Sequence, residues 1–225
     1  VEVPLPVGTS RDTALAAGLA TLARLGGQTV FDVALSSDAL RARIAGFDAY
    51  FADAVPLRFV ADETSTLEDA TRTITEALTT LTTRETYARD LVARRPEIPP
   101  VSLPVGVLLT ASPKSAAPIA DAAFTLAFGD TSLVVAYDVA RVSAAMAAEL
   151  GRRLEVFCAN ATGAPTRPLT SLPLMTAVER EKVVFAANQT DAQYEPDLCV
   201  HQAFERQVDR TPDDVALVFE STSFT

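Results

Sequence analysis

Apolar positions recur along this chain in two rhythms. Leu15, Leu19 and Leu22, with alanines between them, lie on one helical stripe and predict an amphipathic helix over 12–25, ended by Gly26-Gly27. Phe31, Val33 and Leu35 then alternate with Val30, Asp32 and Ala34, the period of a strand. A short helix over 38–45 puts Leu40 and Ile44 on one face, and 55–60 reads as a strand whose Pro56 belongs at its start or on a sheet edge. Residues 1–8, with two prolines, are extended, as an edge strand or the lead-in to one.

A longer helix follows. Ser65 with Glu68 makes a capping box, and Leu67, Ala70, Ile74, Ala77, Leu78 and Leu81 trace its inner face, with Tyr87 and Leu91 carrying the pattern to Pro96. Thr71, Thr73, Thr75, Thr79 and Thr80 fill much of the remainder, so packing rather than intrinsic preference must hold this helix. Beyond the proline-rich stretch 96–104, strands are predicted over 105–110, 122–128 and 131–137, with a loop over 111–118. Gly129-Asp130 between the last two strands suits a two-residue type II′ hairpin turn. A helix over 140–159 directs Val142, Met146, Leu150, Leu154 and Phe157 inward, and Gly163-Ala164-Pro165 closes this body. The order implies an α/β fold in which one mixed sheet carries packed helices.

The remaining stretch has a different texture. Thr176 and Glu179 form a second capping box, which starts a helix over 177–187 with Asn188 suited to end it. A polar segment over 189–196 leads to a helical pattern of Val200, Ala203, Phe204 and Val208, stopped at Thr211-Pro212. Residues 215–219 form a short apolar run suited to a buried strand, with too little chain after it to build a sheet, so it needs a partner from elsewhere.

A net charge of −10 and a pI near 4.6, with no basic stripe, argue against nucleic acid. No apolar run approaches membrane-spanning length and the start lacks a signal-peptide pattern. Cys158 and Cys199 are too few and too far apart for a disulfide scaffold or a zinc site, which leaves the reducing cytoplasm as the expected compartment. Val1 in place of a methionine fits an excised piece of a longer protein.

The stretch 172–219 resembles the linker that joins a condensation domain to an adenylation domain in nonribosomal peptide synthetases. The matching strings are Leu172-Pro173-Leu174-Met175-Thr176, Thr176 to Glu179, Asn188-Gln189-Thr190, Tyr194-Glu195-Pro196, and His201 through Ala216, which is similar to the opening of the adenylation domain. Upstream, Arg24-Leu25-Gly26-Gly27-Gln28 resembles the family's "RxTGQ", and the run from Phe51 to Arg58 resembles "GFFVNTLPLR" with Asp53 in place of the asparagine. The family's "HQDxPFExLV" falls on 83–92, where Thr83, Tyr87 and Ala88 replace its histidine, proline and phenylalanine and only Leu91-Val92 survive. The resemblance implies one lobe of the condensation fold, which is similar to that of CoA-dependent acyltransferases, over 1–165. It implies a C-terminal linker with two short helices, the linker spanning 166–196 and the start of an adenylation domain 197–225, with the second of those helices falling after residue 199.

The chemistry of that family is missing from the sequence. Condensation domains resemble one another in a His-His-x-x-x-Asp-Gly string on the other lobe, whose second histidine assists the attacking amine. Here the one histidine is His201, on the linker helix, where it reads as a surface or capping residue. Ser10-Arg11-Asp12 and Ser36-Ser37-Asp38 read as helix caps, since no histidine stands near to activate a serine. Asp53 and Arg58 read as a salt bridge or a sheet-end pair, and Glu179, Arg180, Glu181 and Lys182 as a solvated helix face. Gly26-Gly27 is a helix stop rather than a phosphate cradle, and Cys158 a small core residue. No catalytic, cofactor-binding or metal residue is therefore assigned.

The resemblance implies a partial, non-catalytic condensation lobe acting as a structural platform for the following adenylation domain. Its alternative is half of an active amide-forming domain, completed by an N-terminal lobe upstream or in trans. Partners are then the adenylation domain of the same polypeptide, with a carrier protein or the missing lobe besides. The implied cofactors, phosphopantetheine on carrier proteins and ATP at the adenylation domain, belong to the parent enzyme and not to this piece.

Overall fold

The computed structural model describes residues 1–98, 103–191 and 199–225. The string Tyr194-Glu195-Pro196, part of the polar segment 189–196 and part of the proline-rich stretch 96–104 lie outside the described residues. Two compact units are present, Val1–Arg180 and Glu181–Thr225. Among the described residues no helix is long and apolar enough to cross a membrane.

The first unit is built on β1 (Glu2–Val3), α1 (Arg11–Gly26), β2 (Val30–Ser37), α2 (Asp38–Ile44), β3 (Val55–Val60) and α3 (Leu67–Arg84). It continues through α4 (Leu91–Arg94), β4 (Val105–Leu109), β5 (Phe124–Phe128), β6 (Leu133–Tyr137), α5 (Ala144–Gly163) and α6 (Ala177–Arg180). The strands form one six-stranded mixed sheet in the order β1-β6-β5-β4-β2-β3. Its centre is parallel, β2 with β4 and β4 with β5, while β3, β6 and β1 are antiparallel to their neighbours. β3 is an edge, which is how the sheet accepts Pro56.

Helices α1, α3 and α5 cover one face. α1 lies between the other two, so Ala14 through Ala20 are all buried and Gly18 lets the helix approach Phe128, whose Cζ would lie 3.0 Å from an added Cβ. Buried Thr21 satisfies its hydroxyl on the Ala17 carbonyl at 2.8 Å. The opposite face is roofed by the crossover loop 110–123. Ile119 and Ala122 lie on Ala34, and Ala116 on the cluster of Leu108, Ala127 and Val134.

Several expectations need correction. The box that caps α3 is Thr66 with Asp69, because the Ser65 hydroxyl is engaged by Asp62. α3 ends at Arg84 instead of running to Pro96: the chain reverses at Glu85 (φ 65), and residues 86–89 turn back to bond residues 50–52. The tip between β5 and β6 is Asp130-Thr131, with the Gly129 N–H on the Ser132 carbonyl at 2.8 Å. No residue of that tip has a positive φ, so the type II′ turn is excluded. α5 starts four residues later than expected, where Ser143 caps it, and its inner face becomes Ala147, Gly151, Leu154, Phe157, Cys158 and Ala161, leaving Met146 63% exposed.

The second unit contains α7 (Val200–Arg210) and a hairpin of β7 (Leu217–Phe219) with β8 (Thr222–Phe224). β7 thus finds its partner within the chain, the reverse of the expectation. It is also exposed rather than buried, because a two-stranded hairpin covers neither of its own faces. Of the helix expected over 177–187, the first unit holds the α-helical turn Ala177–Arg180, and the second unit begins with a π turn at Glu181–Phe185 and a 3₁₀ turn at Ala186–Asn188.

Candidate functional site

The serine clusters do cap helices. Ser10 accepts the Thr13 N–H at 3.2 Å and Ser37 the Leu40 N–H at 3.1 Å. Ser36 donates to the Asp53 carbonyl at 2.6 Å and receives Arg41 Nε at 3.2 Å, and Asp38 holds the Ala111 N–H at 2.9 Å. Gly27 ends α1 in the left-handed conformation (φ 62). Cys158 is buried, and that burial pushes its thiol up to about 12. His201 is exposed on α7.

The expected Asp53–Arg58 pair does not form. Their positions on adjacent segments point them to other partners: Arg58 forks onto Asp32 across β2 and β3 at 2.9 Å for both bonds, and Asp53 pairs with Arg89 at 2.9 Å. The Arg58 bonds hold the Asp32 carboxyl below its ordinary range. The two eroded family-like stretches, near 51–58 and 83–92, are thereby brought together. Thr86 donates to the Ala52 carbonyl at 2.6 Å, and backbone bonds join Ala52 to Tyr87 and Arg89 to Tyr50.

A cleft of about 520 Å³ opens at the carboxyl ends of β2 and β4, between α1, α2 and α3. Leu35, Leu40, Leu78, Leu81 and Leu109 line it, with threonines of α3 on one wall. Thr79, Thr82 and Thr83 spend their hydroxyls on carbonyls four residues back, and Thr75 donates to Asp12 at 2.9 Å. Such a cleft can accommodate an apolar group, and the carboxylates on its rim are already engaged, Asp12 by Thr75 and Glu85 by Arg43. Among the described residues no group of His, Cys, Asp and Glu is placed to hold a metal.

A set of long-range polar contacts lies where the chain leaves the first unit's core. Arg24, in the last turn of α1, donates to the carbonyls of Leu169 and of Leu172, the latter at 3.0 Å, with its guanidinium 5.9 Å from the Phe157 ring centre. Partial burial lowers its pKa. The Leu169 N–H bonds the Ser65 carbonyl at 2.9 Å, Thr170 the Glu63 carbonyl at 2.9 Å, and Leu169 and Leu172 lie in the main core. From α5, Arg153 reaches the Leu174 carbonyl at 3.1 Å and Glu179 at 3.3 Å, and Asn160 the Pro173 carbonyl at 3.2 Å. Glu179 closes the expected capping box by accepting the Thr176 N–H at 2.8 Å, which leads the lowering of its pKa. It is therefore not simply part of a solvated face. Sequence reasoning placed Arg24 in a motif and overlooked Arg153; the one signal for both was an arginine beside the apolar stripe of an otherwise inward-facing helix.

The mixed sheet with helices packed against it matches the fold of solved condensation domains. The starter condensation domain of rhizomide synthetase matches with a TM-score of 0.57 at 14% identity, over 78% of this chain and 47% of that one. A four-domain nonribosomal peptide synthetase bound to AMP and glycine matches with a TM-score of 0.67 at 15% identity, over 94% of this chain and 19% of that one. In sequence the chain is similar to large peptide synthetases. A linear gramicidin synthase of Brevibacillus parabrevis is 42% identical over 64 residues, 28% of this chain and 1% of that protein. Malpinin synthetase of Mortierella alpina is 41% identical over 61 residues, 27% of this chain and 1% of that protein. The chain thus spans about 1% of the length of these curated relatives. No protein-family model matches it.

Proposed function

We propose that the chain is part of a nonribosomal peptide synthetase, in which residues 1–165 are the C-terminal lobe of a condensation domain, 166–196 its linker and 197–225 the start of an adenylation domain. Lobe and linker act as a structural platform, a fixed base for the adenylation domain in peptide natural-product assembly, and form no amide bond themselves. ATP at that domain and phosphopantetheine on a carrier protein belong to the parent enzyme. The observation that carries this reading is the seating of residues 169–179 on the lobe, with Leu169 and Leu172 in its core and Arg24 and Arg153 on their flanks. A segment serving only as a tether would need none of these contacts.

Residues 1–200 contain no histidine, so they lack the imidazole that the family resemblance places beside the attacking amine, and this supports inactivity. A second reading, half of an active domain, is favoured by the 47% of the rhizomide starter domain that this chain covers. One experiment separates them: the chain is mixed with carrier-bound donor and acceptor, with and without a histidine-bearing condensation lobe. The platform reading expects no amide in either mixture. Product formed with the added lobe establishes the second reading, and product formed without it overturns both.

A further inference from the structure

The segment leaving the lobe is held at two places by different chemistry. At the first, Arg24 gives its N–H groups to two neutral carbonyls, Leu169 and Leu172, while Leu169 and Leu172 are 3% and 2% exposed. Nothing in that contact depends on a carboxylate, and the Leu169 N–H is bonded to Ser65 besides. At the second, Arg153 holds the Leu174 carbonyl and the Glu179 carboxylate, with Glu149 of its own helix as another acidic neighbour. Glu179 is in turn the acceptor that starts the helical turn Ala177–Arg180, so the ion pair and the helix cap share one carboxylate.

We propose that this is a two-stage fastening: a permanent staple by Arg24 at residues 169–172 and a releasable one by Arg153 at residues 174–179, which docks the helical turn against the lobe only while the Arg153–Glu179 pair is formed. Arg153 is a positioning residue that selects between docked and undocked forms of the turn. An ion pair between partly exposed side chains responds to ionic strength, whereas a bond to a neutral carbonyl has no opposite charge for salt to screen. The functional consequence rests on the platform reading above, since a turn that can undock would change the base from which the following domain works.

Amide hydrogen exchange on the full chain tests the fastening. The Arg180 N–H, bonded to the Thr176 carbonyl at 3.0 Å, reports the second stage, and the Leu169 N–H reports the first. Raising salt from about 0.05 to about 0.5 M is expected to speed exchange at Arg180 and leave Leu169 unchanged. Arg153→Ala is expected to speed Arg180 by about tenfold at low salt, the loss associated with bonds to a charged donor, again without effect at Leu169. Glu179→Gln, which keeps an acceptor for the Thr176 N–H but cancels the ion pair, is expected to abolish the salt response. Arg180 exchange indifferent to salt and to R153A, or Leu169 moving with it, overturns the proposal. In a synthetase carrying this chain, amino-acid loading onto the carrier is then measured for R153A. Unchanged loading beside altered exchange overturns the platform reading alone and leaves the fastening intact.

Discussion

Gly106 shows how a single position fixes the roof over the sheet. A Cβ there would come within 2.3 Å of Thr125 Oγ1, the atom that accepts the Ile119 N–H at 2.8 Å and so anchors the crossover loop. Gly106→Ala is therefore expected to cost about 1–3 kcal/mol by overpacking, read from urea unfolding. The double variant G106A/T125A should cost less than the sum of its parts, because removing the hydroxyl relieves the clash even as it orphans Ile119. The two cysteines make a second residue-scale contrast. Cys158 is buried with its thiol pushed up to about 12, whereas Cys199 is exposed. One equivalent of an alkylating reagent is expected to add at mildly alkaline pH, at Cys199, and two after unfolding; mass spectrometry of the native chain showing label at Cys158 would contradict the packing of α5. The raised thiol also sets a sign for stability. Its contribution is complete below the unfolded value near 9 and is lost as pH rises from there toward 12. The core role of Cys158 could be read in the sequence from helical spacing. The exchange of Asp53 and Arg58 for other partners could not, since it depends on the register that puts Asp32 opposite Arg58 and on the reversal that brings Arg89 to Asp53.

Local elements were legible where one pattern had no competitor. The alternation of β2, the glycine stop of α1 and the Thr176–Glu179 box all stand where periodicity and capping chemistry place them. Legibility failed where two frames overlapped. Ser65-x-x-Glu68 and Thr66-x-x-Asp69 are equally good boxes on paper, and a tertiary fact decides between them: the Ser65 carbonyl takes the Leu169 N–H while its hydroxyl closes a turn with Asp62. α3 likewise ends early because Tyr87 and Arg89 have backbone partners in the 50–52 segment, which no helical count reveals. The cap gives a test. Thr66→Ala should lower stability by about 1 kcal/mol, whereas Ser65→Ala leaves the helix cap untouched and should cost less. Asp69 is held below its ordinary range first by the Thr66 hydroxyl, so its contribution is present above the unfolded carboxylate value and lost as pH falls through the lowered folded one. The gap between T66A and the wild-type chain is expected to close over that acid window in thermal melts. A gap of constant size would show that Asp69 takes no part in the cap.

At the scale of the whole molecule, the division between body and appendage falls later than composition suggests. Gly163-Ala164-Pro165 looks like an ending, and α5 does stop there, yet the core continues through Leu169 and Leu172 and the compact unit extends to Arg180. Two apolar residues in a proline-containing stretch carry too little periodicity to announce burial. Of their partners, α1 and the turn before α3 lie more than a hundred residues away in sequence, so local pattern carries no sign of the seating. The second unit is the opposite case: Leu217, Val218 and Phe219 form a run of strand-like apolarity and stay 59%, 62% and 66% exposed. Hydrophobicity alone therefore ranks these positions in the wrong order, and mutation should expose the inversion. Leu172→Ala is expected to destabilise the first unit by about 2–5 kcal/mol through the cavity it leaves, while Val218→Ala should shift unfolding by no more than about 0.5 kcal/mol. Urea titrations followed by circular dichroism compare the two directly. If Leu172→Ala proved as mild as Val218→Ala, residues 166–180 would be a tether lying on the lobe, and the mechanical role proposed for them would lose its physical basis.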